Sequence, residues 1–167
     1  MPRIGLISDT HGLLRPEATK FLRGSDFIVH AGDIGEPAVL TELKAIAPLT
    51  AVRGNNDTAA WAHSIPETAV LRVGELCVYV LHNLAELDVD PAAAGFQVVV
   101  SGHSHRPSVE RRGGALYVNP GSAGPRRFKL PVSIGELEIA GSSVKARLRE
   151  LDRRDSPLQR RRPVGLR

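Results

Sequence analysis

Five short apolar runs in this chain each end in a small polar cluster able to bind metal. Residues 3–8 (RIGLIS) run into Asp9-Thr10-His11, and residues 26–30 (DFIVH) run into Gly32-Asp33. Residues 49–53 precede Gly54-Asn55-Asn56-Asp57, residues 75–82 end in His82-Asn83, and residues 96–101 (FQVVVS) lead into Gly102-His103-Ser104-His105. Runs this short and apolar, bounded by Gly, Pro and Asp, read as strands buried on both faces. In an open α/β sheet, ligands bind beyond the carboxyl ends of the strands. Donors spread from residue 9 to residue 105 can therefore meet at one edge.

The segments between these runs set the architecture. Residues 16–22 begin with Pro, which suits a helix start. Residues 36–47 carry Val39, Leu40, Leu43 and Ile46 at roughly helical spacing. A strand–helix–strand–helix–strand opening predicts a parallel sheet with right-handed crossovers. The second half changes character. Residues 67–73 and 75–82 meet at Gly74, 109–112 and 115–118 at Gly113-Gly114, and 132–139 and 144–151 across residues 140–143. These read as three hairpins. Residues 90–94 read as a short helical turn.

Composition excludes several classes. At 167 residues the chain makes one domain of ordinary size. Aromatics are 4%, which argues against a nucleic-acid reader built on base stacking. The single cysteine, Cys77, excludes a disulfide scaffold and a Cys-based zinc finger, and fits a reducing compartment. No apolar run approaches the roughly 18 residues of a membrane span, and the first residues enter a strand directly rather than an export signal. A cytoplasmic protein without membrane contact is the expectation. The net charge of +4 is uneven: residues 147–167 hold eight Arg against Glu150, Asp152 and Asp155, whereas residues 1–146 balance to −1. We therefore expect a domain over residues 1–151 and a basic, disordered tail over 152–167. Nucleic acid is expected to find a partner, if at all, only in that Arg-rich tail.

The strand-end residues make chemical sense together. Asp oxygen, Asn carbonyl oxygen and neutral His nitrogen suit Mn, Fe, Co, Ni, Mg or Zn rather than copper(I). Asp9, His11, Asp33, Asn55, His82, His103 and His105 exceed the needs of one ion, but two ions sharing a carboxylate would use them well. Metals about 3.5–4 Å apart can bridge a hydroxide and clamp a phosphoryl oxygen. Taken singly the clusters are weak signals: Gly-Asp is commonly a turn, and a lone His82 is more often a strand-end histidine. Their order, each at the end of an apolar strand, is what carries the signal.

That order, Asp-x-His, Gly-Asp, Gly-Asn-x-Asp, His, Gly-His-x-His, resembles the calcineurin-like metallophosphoesterases. The length, and Asn119-Pro120-Gly121-Ser122 after the His-x-His strand, resemble the small bacterial and archaeal phosphodiesterase branch. The resemblance covers residues 3 to about 140. It implies a four-layer α/β/β/α sandwich of two mixed sheets with a dinuclear site at the strand carboxyl ends. It implies that Asp9, His11 and His105 hold one metal, that Asn55, His82 and His103 hold the other, and that Asp33 bridges them. Asn55 would also lean toward the phosphate, and Asp57 would orient ligands or the Gly-Asn turn. The implied activity is a metal-dependent phosphodiesterase acting on a small phosphodiester, with two divalent ions, Mn foremost, and a metal-bridging hydroxide attacking phosphorus in line. Relatives often form dimers or tetramers, so a homo-oligomer is compatible. The alternative is a non-catalytic protein-interaction scaffold, because the chain resembles more distantly the retromer subunit of this fold. Two positions depart from the family pattern: Asn56 stands where many relatives have His, and Asn83 where Gly is frequent. The stretch between His82 and Phe96 is also short.

The remaining candidates read as structural. His30 reads as a packed histidine behind the site, His63 as a surface residue, and Cys77 as core. Ser101 and Ser122 have no triad partners in the sequence.

Overall fold

The alternation of apolar runs and turn residues folds as two sheets stacked face to face. The computed structural model describes residues 1–127 and 129–151; the expected tail, 152–167, lies outside the described residues. Strands β1 (Arg3–Ile7), β2 (Phe27–His30) and β3 (Leu49–Ala51) are parallel, connected through α1 (Pro16–Leu22) and α2 (Pro37–Lys44). The first sheet is completed on the other side of β1 by the antiparallel pair β9 (Ser133–Ala140) and β10 (Ser143–Glu150), giving the order β10-β9-β1-β2-β3. The second sheet has the order β4-β5-β6-β8-β7. In it β5 (Leu76–Leu81), β6 (Val98–Val100) and β8 (Ala115–Asn119) are parallel, with β4 (Thr68–Val73) and β7 (Ser108–Arg112) antiparallel at the edges.

The two sheets bury a common core. Ile4, Leu6, Val29, Val52, Leu137 and Ile139 of the first pack on Val78, Val80, Val98, Val100, Leu116 and Val118 of the second. Burying each such side chain stabilises the fold by about 1.5–3 kcal/mol. The other face of the first sheet buries Ile7, Ile28 and Ile134 against Ala18 and Leu22 of α1 and Val39 and Leu43 of α2. The outer face of the second sheet carries Tyr79, Leu81 and Val99, covered by Leu84, Leu87 and Phe96. This fourth layer is thin. The short segment after His82 supplies a 3-10 turn at Leu84–Glu86 and a turn closed by the Ala94 N–H on the Asp90 carbonyl, 2.9 Å.

Local chemistry explains where elements stop short of expectation. Helix α2 ends at Lys44, not residue 47; the Ala47 N–H still reaches Leu43, 3.3 Å, and Pro48 then disfavours helical backbone at Ala47. Two 3-10 turns went unread in the sequence, Ala60–Ala62 and Leu84–Glu86. The second has a recognisable cap: the Asn83 side chain accepts from the Ala85 N–H at 3.0 Å.

Candidate metal centre

Every donor-bearing loop leaves the carboxyl end of a parallel strand, so all emerge along one edge of the sandwich. Backbone hydrogen bonds stitch neighbouring loops together. Asp9 N–H donates to the Gly32 carbonyl at 2.9 Å, His11 N–H to Asp33 at 2.9 Å, and Gly102 N–H to His82 at 2.9 Å. Gly54 and Gly102 sit where a side chain has no room: a Cβ on the first would run into the Asp33 carboxylate, and one on the second into the Ser8 hydroxyl.

Asp9, His11 and His105 form one group of donors, and Asp9, Asp33 and His82 form another, within each of which the donor atoms lie within 4.8 Å of one another. Asp9 Oδ1 is 3.2 Å from His105 Nε2, 3.8 Å from His11 Nε2 and 3.9 Å from His82 Nε2. Asp33 Oδ2 is 3.3 Å from His82 Nε2 and 3.8 Å from His11 Nε2. His103 is exposed and stands beside His82, ring centroids 5.1 Å apart. Asn55 is exposed and borders the cleft next to His82. Three buried atoms in the cluster, Asp9 Oδ1, His11 Nε2 and His82 Nε2, have no hydrogen-bond partner, and neither has Nδ1 of His105, the ring whose Nε2 faces Asp9. Buried polar atoms are normally satisfied, so converging orphan donors fit a group that accepts lone pairs, and oxygen with imidazole suits divalent cations.

The surroundings orient these donors. Asp9 Oδ2 accepts from the Ser8 hydroxyl at 2.6 Å and from the His103 N–H at 3.1 Å, leaving Oδ1 to the cluster. His82 Nδ1 lies 2.7 Å from the Ala31 carbonyl. A carbonyl only accepts, so Nδ1 carries the hydrogen, and in the neutral ring the Nε2 lone pair faces the carboxylates. Asp57 does not face the cluster: its carboxylate accepts from the N–H groups of Ile34 at 3.0 Å, Gly35 at 3.0 Å and Gly54 at 2.9 Å.

Asp33 and His82 shift one another in opposite directions. Burial would raise the Asp33 carboxyl pKa, but the His82 imidazole 3.3 Å away, the Asn56 N–H and the neighbouring His11 ring together hold it down to about 2. Burial would lower His82, yet the Asp33 carboxylate 3.3 Å away, the Asp9 charge and the Ala31 carbonyl raise it above its ordinary value.

Left-handed backbone is concentrated here. Among the described residues, the non-glycine residues with positive φ are Asp9 (55°), His11 (47°), Asp33 (58°), His103 (72°) and His105 (64°). Each conformation costs about 1–2 kcal/mol, which the surrounding contacts must offset. Nothing in the sequence marks these five backbones, although Asp and His tolerate this region better than most side chains.

His30 is fully buried behind the cluster, and its hydrogen bonds define its tautomer. Gly32 N–H donates to Nδ1 at 3.1 Å, so Nε2 carries the hydrogen and donates to Thr10 Oγ1 at 3.0 Å, which in turn donates to the Ile34 carbonyl at 2.8 Å. Burial lowers its pKa to about 4. This chain ties the Asp9–His11 loop to the loop carrying Asp33. Ser8, Thr10 and Ser122 are supporting residues that the sequence did not single out for this work; Ser122 Oγ donates to the Asp9 carbonyl at 3.0 Å. Their signal is a hydroxyl beside a candidate ligand in sequence or in a turn, too common to find them alone. His63 is exposed beyond the Ala60–Ala62 turn, and Cys77 is buried and free.

Two stacked mixed sheets with carboxylate and imidazole donors gathered at the strand ends define a metallophosphoesterase-like α/β sandwich. Residues 2–142 match the calcineurin-like phosphoesterase superfamily domain, and the chain belongs to that family. It is similar to a probable metallophosphoesterase of Methanothermobacter thermautotrophicus, 32% identical over 157 residues, covering 87% of this chain and 90% of that protein. A phosphodiesterase of Methanocaldococcus jannaschii is 26% identical over 138 residues, covering 71% of this chain and 82% of that protein. In fold it is similar to Vps29 of Chaetomium thermophilum, with a TM-score of 0.78 and 23% identity over 92% of this chain and 89% of that one. No described helix is long and apolar enough to cross a membrane.

Proposed function

We propose that this protein is a metal-dependent phosphodiesterase acting on a small phosphodiester. The observation that carries this reading is the convergence at one edge of the buried, partnerless Asp9 Oδ1, His11 Nε2 and His82 Nε2, with His105 Nε2 3.2 Å from Asp9 Oδ1. The family and the similarity to an archaeal phosphodiesterase support it. Asp9, His11 and His105 would hold one ion; His82, His103 and Asn55 would hold the second, with Asp33 shared. The proximity of Asp9 Oδ1 to His82 supports Asp9 as a further contributor to the second position. When bound, the two ions would lower the pKa of a water and neutralise the phosphate oxygens for in-line hydrolysis. Mn is the proposed physiological metal, on the mixed oxygen and imidazole donor set.

The chain's own residues do the positioning. The Asp57 carboxylate fixes the Gly54 turn from which Asn55 reaches the rim, where its amide is available to a phosphate oxygen. The Ala31 carbonyl holds the His82 ring, and Ser8 aims Asp9. A cytoplasmic location is part of this reading, supported by the single free and buried Cys77.

The scaffold alternative is supported by the likeness to Vps29, which is one of fold. The complete donor set outweighs it. Metal analysis of purified protein, followed by hydrolysis of bis(p-nitrophenyl) phosphate with and without chelator, separates the two. Metal-dependent turnover supports the enzyme; metal-loaded protein that turns over no phosphate ester supports the scaffold.

A further inference from the structure

Two clefts open beside the cluster and share Asn83 as a wall. One, of ≈ 340 Å³, lies on the Asn55 and His82 side; the other, of ≈ 190 Å³, lies on the His103 side against β7 and β8. We infer that the second cleft is the subsite for one ester arm of the substrate, and that it takes a planar, uncharged group such as an aryl ring or a nucleobase. The inference rests on the phosphodiesterase reading, which puts phosphorus at the cluster.

The chemistry of the cleft selects the ligand. Arg112 and Tyr117 lie on the same face of the β7–β8 pair, and the guanidinium carbon stands over the Tyr117 ring, 4.5 Å from its centroid. Tyr117 is itself packed on the Tyr79, Leu81 and Val99 cluster, so the ring is a fixed base. A guanidinium over a ring can present its other face for stacking, and the Arg112 side chain is 50% exposed. Its charge is already answered: Arg112 Nε is 3.4 Å from Glu110 Oε2, and Nη2 donates to Oε1 at 3.4 Å. What remains is a flat surface without unspent charge.

The rest of the lining agrees. Leu84 forms an apolar wall, and the Ser108 hydroxyl has no partner among the described residues, leaving one neutral group to meet an edge of the ligand. The Asn119 amide is committed to the Gly102 carbonyl at 3.0 Å and to Ser104 Oγ at 3.2 Å. The other cleft differs: it sets Glu67, Glu86 and Asp88 against Arg53, whose guanidinium is engaged by the Ile65 carbonyl and Glu67. Only the second cleft offers a stacking surface.

The test is binding of two probes whose arms are joined to phosphorus through carbon and so cannot be hydrolysed, dibenzylphosphinate and diethylphosphinate, to manganese-loaded protein by titration calorimetry. Because both arms match within each probe, the comparison does not depend on which arm enters the cleft. Wild-type protein should bind dibenzylphosphinate about tenfold more tightly. Arg112→Ala and Arg112→Lys should both remove that preference and leave diethylphosphinate binding unchanged; half-exposed Arg112 can be replaced without opening the core. Arg112→Lys keeps the charge and loses the plane, so a lysine variant with the full preference overturns the proposal, as does a wild-type protein that binds both probes equally. Hydrolysis of bis(p-nitrophenyl) phosphate by the same preparation judges the phosphodiesterase reading separately.

Discussion

Asn56 grips the Asp33 carboxylate from two directions: its backbone N–H donates to Oδ1 at 2.9 Å and its side-chain amide to Oδ2 at 3.1 Å. The residue at the position where many relatives carry His is thus turned toward the proposed shared ligand. An amide supplies no proton near neutral pH, and this one is already engaged. A monoester, with a second negative charge and often a poor alkoxide leaving group, gains most from a proton donor. We expect wild-type protein to prefer activated diesters, and Asn56→His to raise monoester over diester specificity by about tenfold or more. Matched kcat/KM values on p-nitrophenyl mono- and diesters check this. A wild-type preference for the monoester, unchanged in Asn56→His, would place selectivity elsewhere on the rim.

Chelation should abolish turnover, and Mn should restore it best among divalent ions. Within the cluster, Asp33→Asn should weaken both metal positions and lower kcat by about a hundredfold or more, while His11→Ala should empty mainly one. Metal content by mass spectrometry alongside kcat decides this; two metals and normal turnover in Asp33→Asn would refute the shared role.

Removing the Asp57 carboxylate strands three backbone N–H groups, those of Ile34, Gly35 and Gly54. Asp57→Ala should destabilise the protein by about 3 kcal/mol or more, with Asp57→Asn intermediate, in urea denaturation of metal-free protein. A loss under about 1 kcal/mol would mean that these loops are held by other contacts.

His30 makes stability depend on pH with a definite sign. Its folded pKa is lowered from 6.5 to about 4, so between those values the unfolded chain binds a proton that the folded protein does not. Stability is full above pH 6.5 and falls by about 3 kcal/mol as pH drops toward 4. Asp33 works lower: its carboxyl is held at about 2 against 3.8, so its contribution is present above 3.8 and lost as pH falls toward 2. His82 has the opposite sense, stabilising below 6.5 and losing this as pH rises through its raised folded value. Denaturation of metal-free wild type and His30→Gln between pH 7.5 and 4.5 isolates the first effect. A variant as pH-sensitive as wild type would show that His30 is not its source.

Much of this architecture is legible along the chain because it is local. Apolar runs between turn residues define strands to within a few positions, as in β1 and β2; Pro16 opens α1, and apolar spacing marks α2. The donors were visible because each follows directly on a strand. The thin layer outside the second sheet was not legible: the His82–Phe96 stretch is short, but that a 3-10 turn with Leu84, Leu87 and Phe96 covers the sheet depends on packing.

The sequence by itself determined which side chains stand at the ends of which strands, because burial and turn chemistry act over a few residues. Only the tertiary structure decided how those side chains face one another. It brings Asp9 Oδ1 toward His11, His82 and His105, turns Asn56 onto Asp33, and spends Asp57 on three backbone amides. It also holds Asp9, His11, Asp33, His103 and His105 in left-handed backbone. No short-range preference selects these arrangements: each joins loops from different strands, and the left-handed turns persist because the packed sheets hold the loops together.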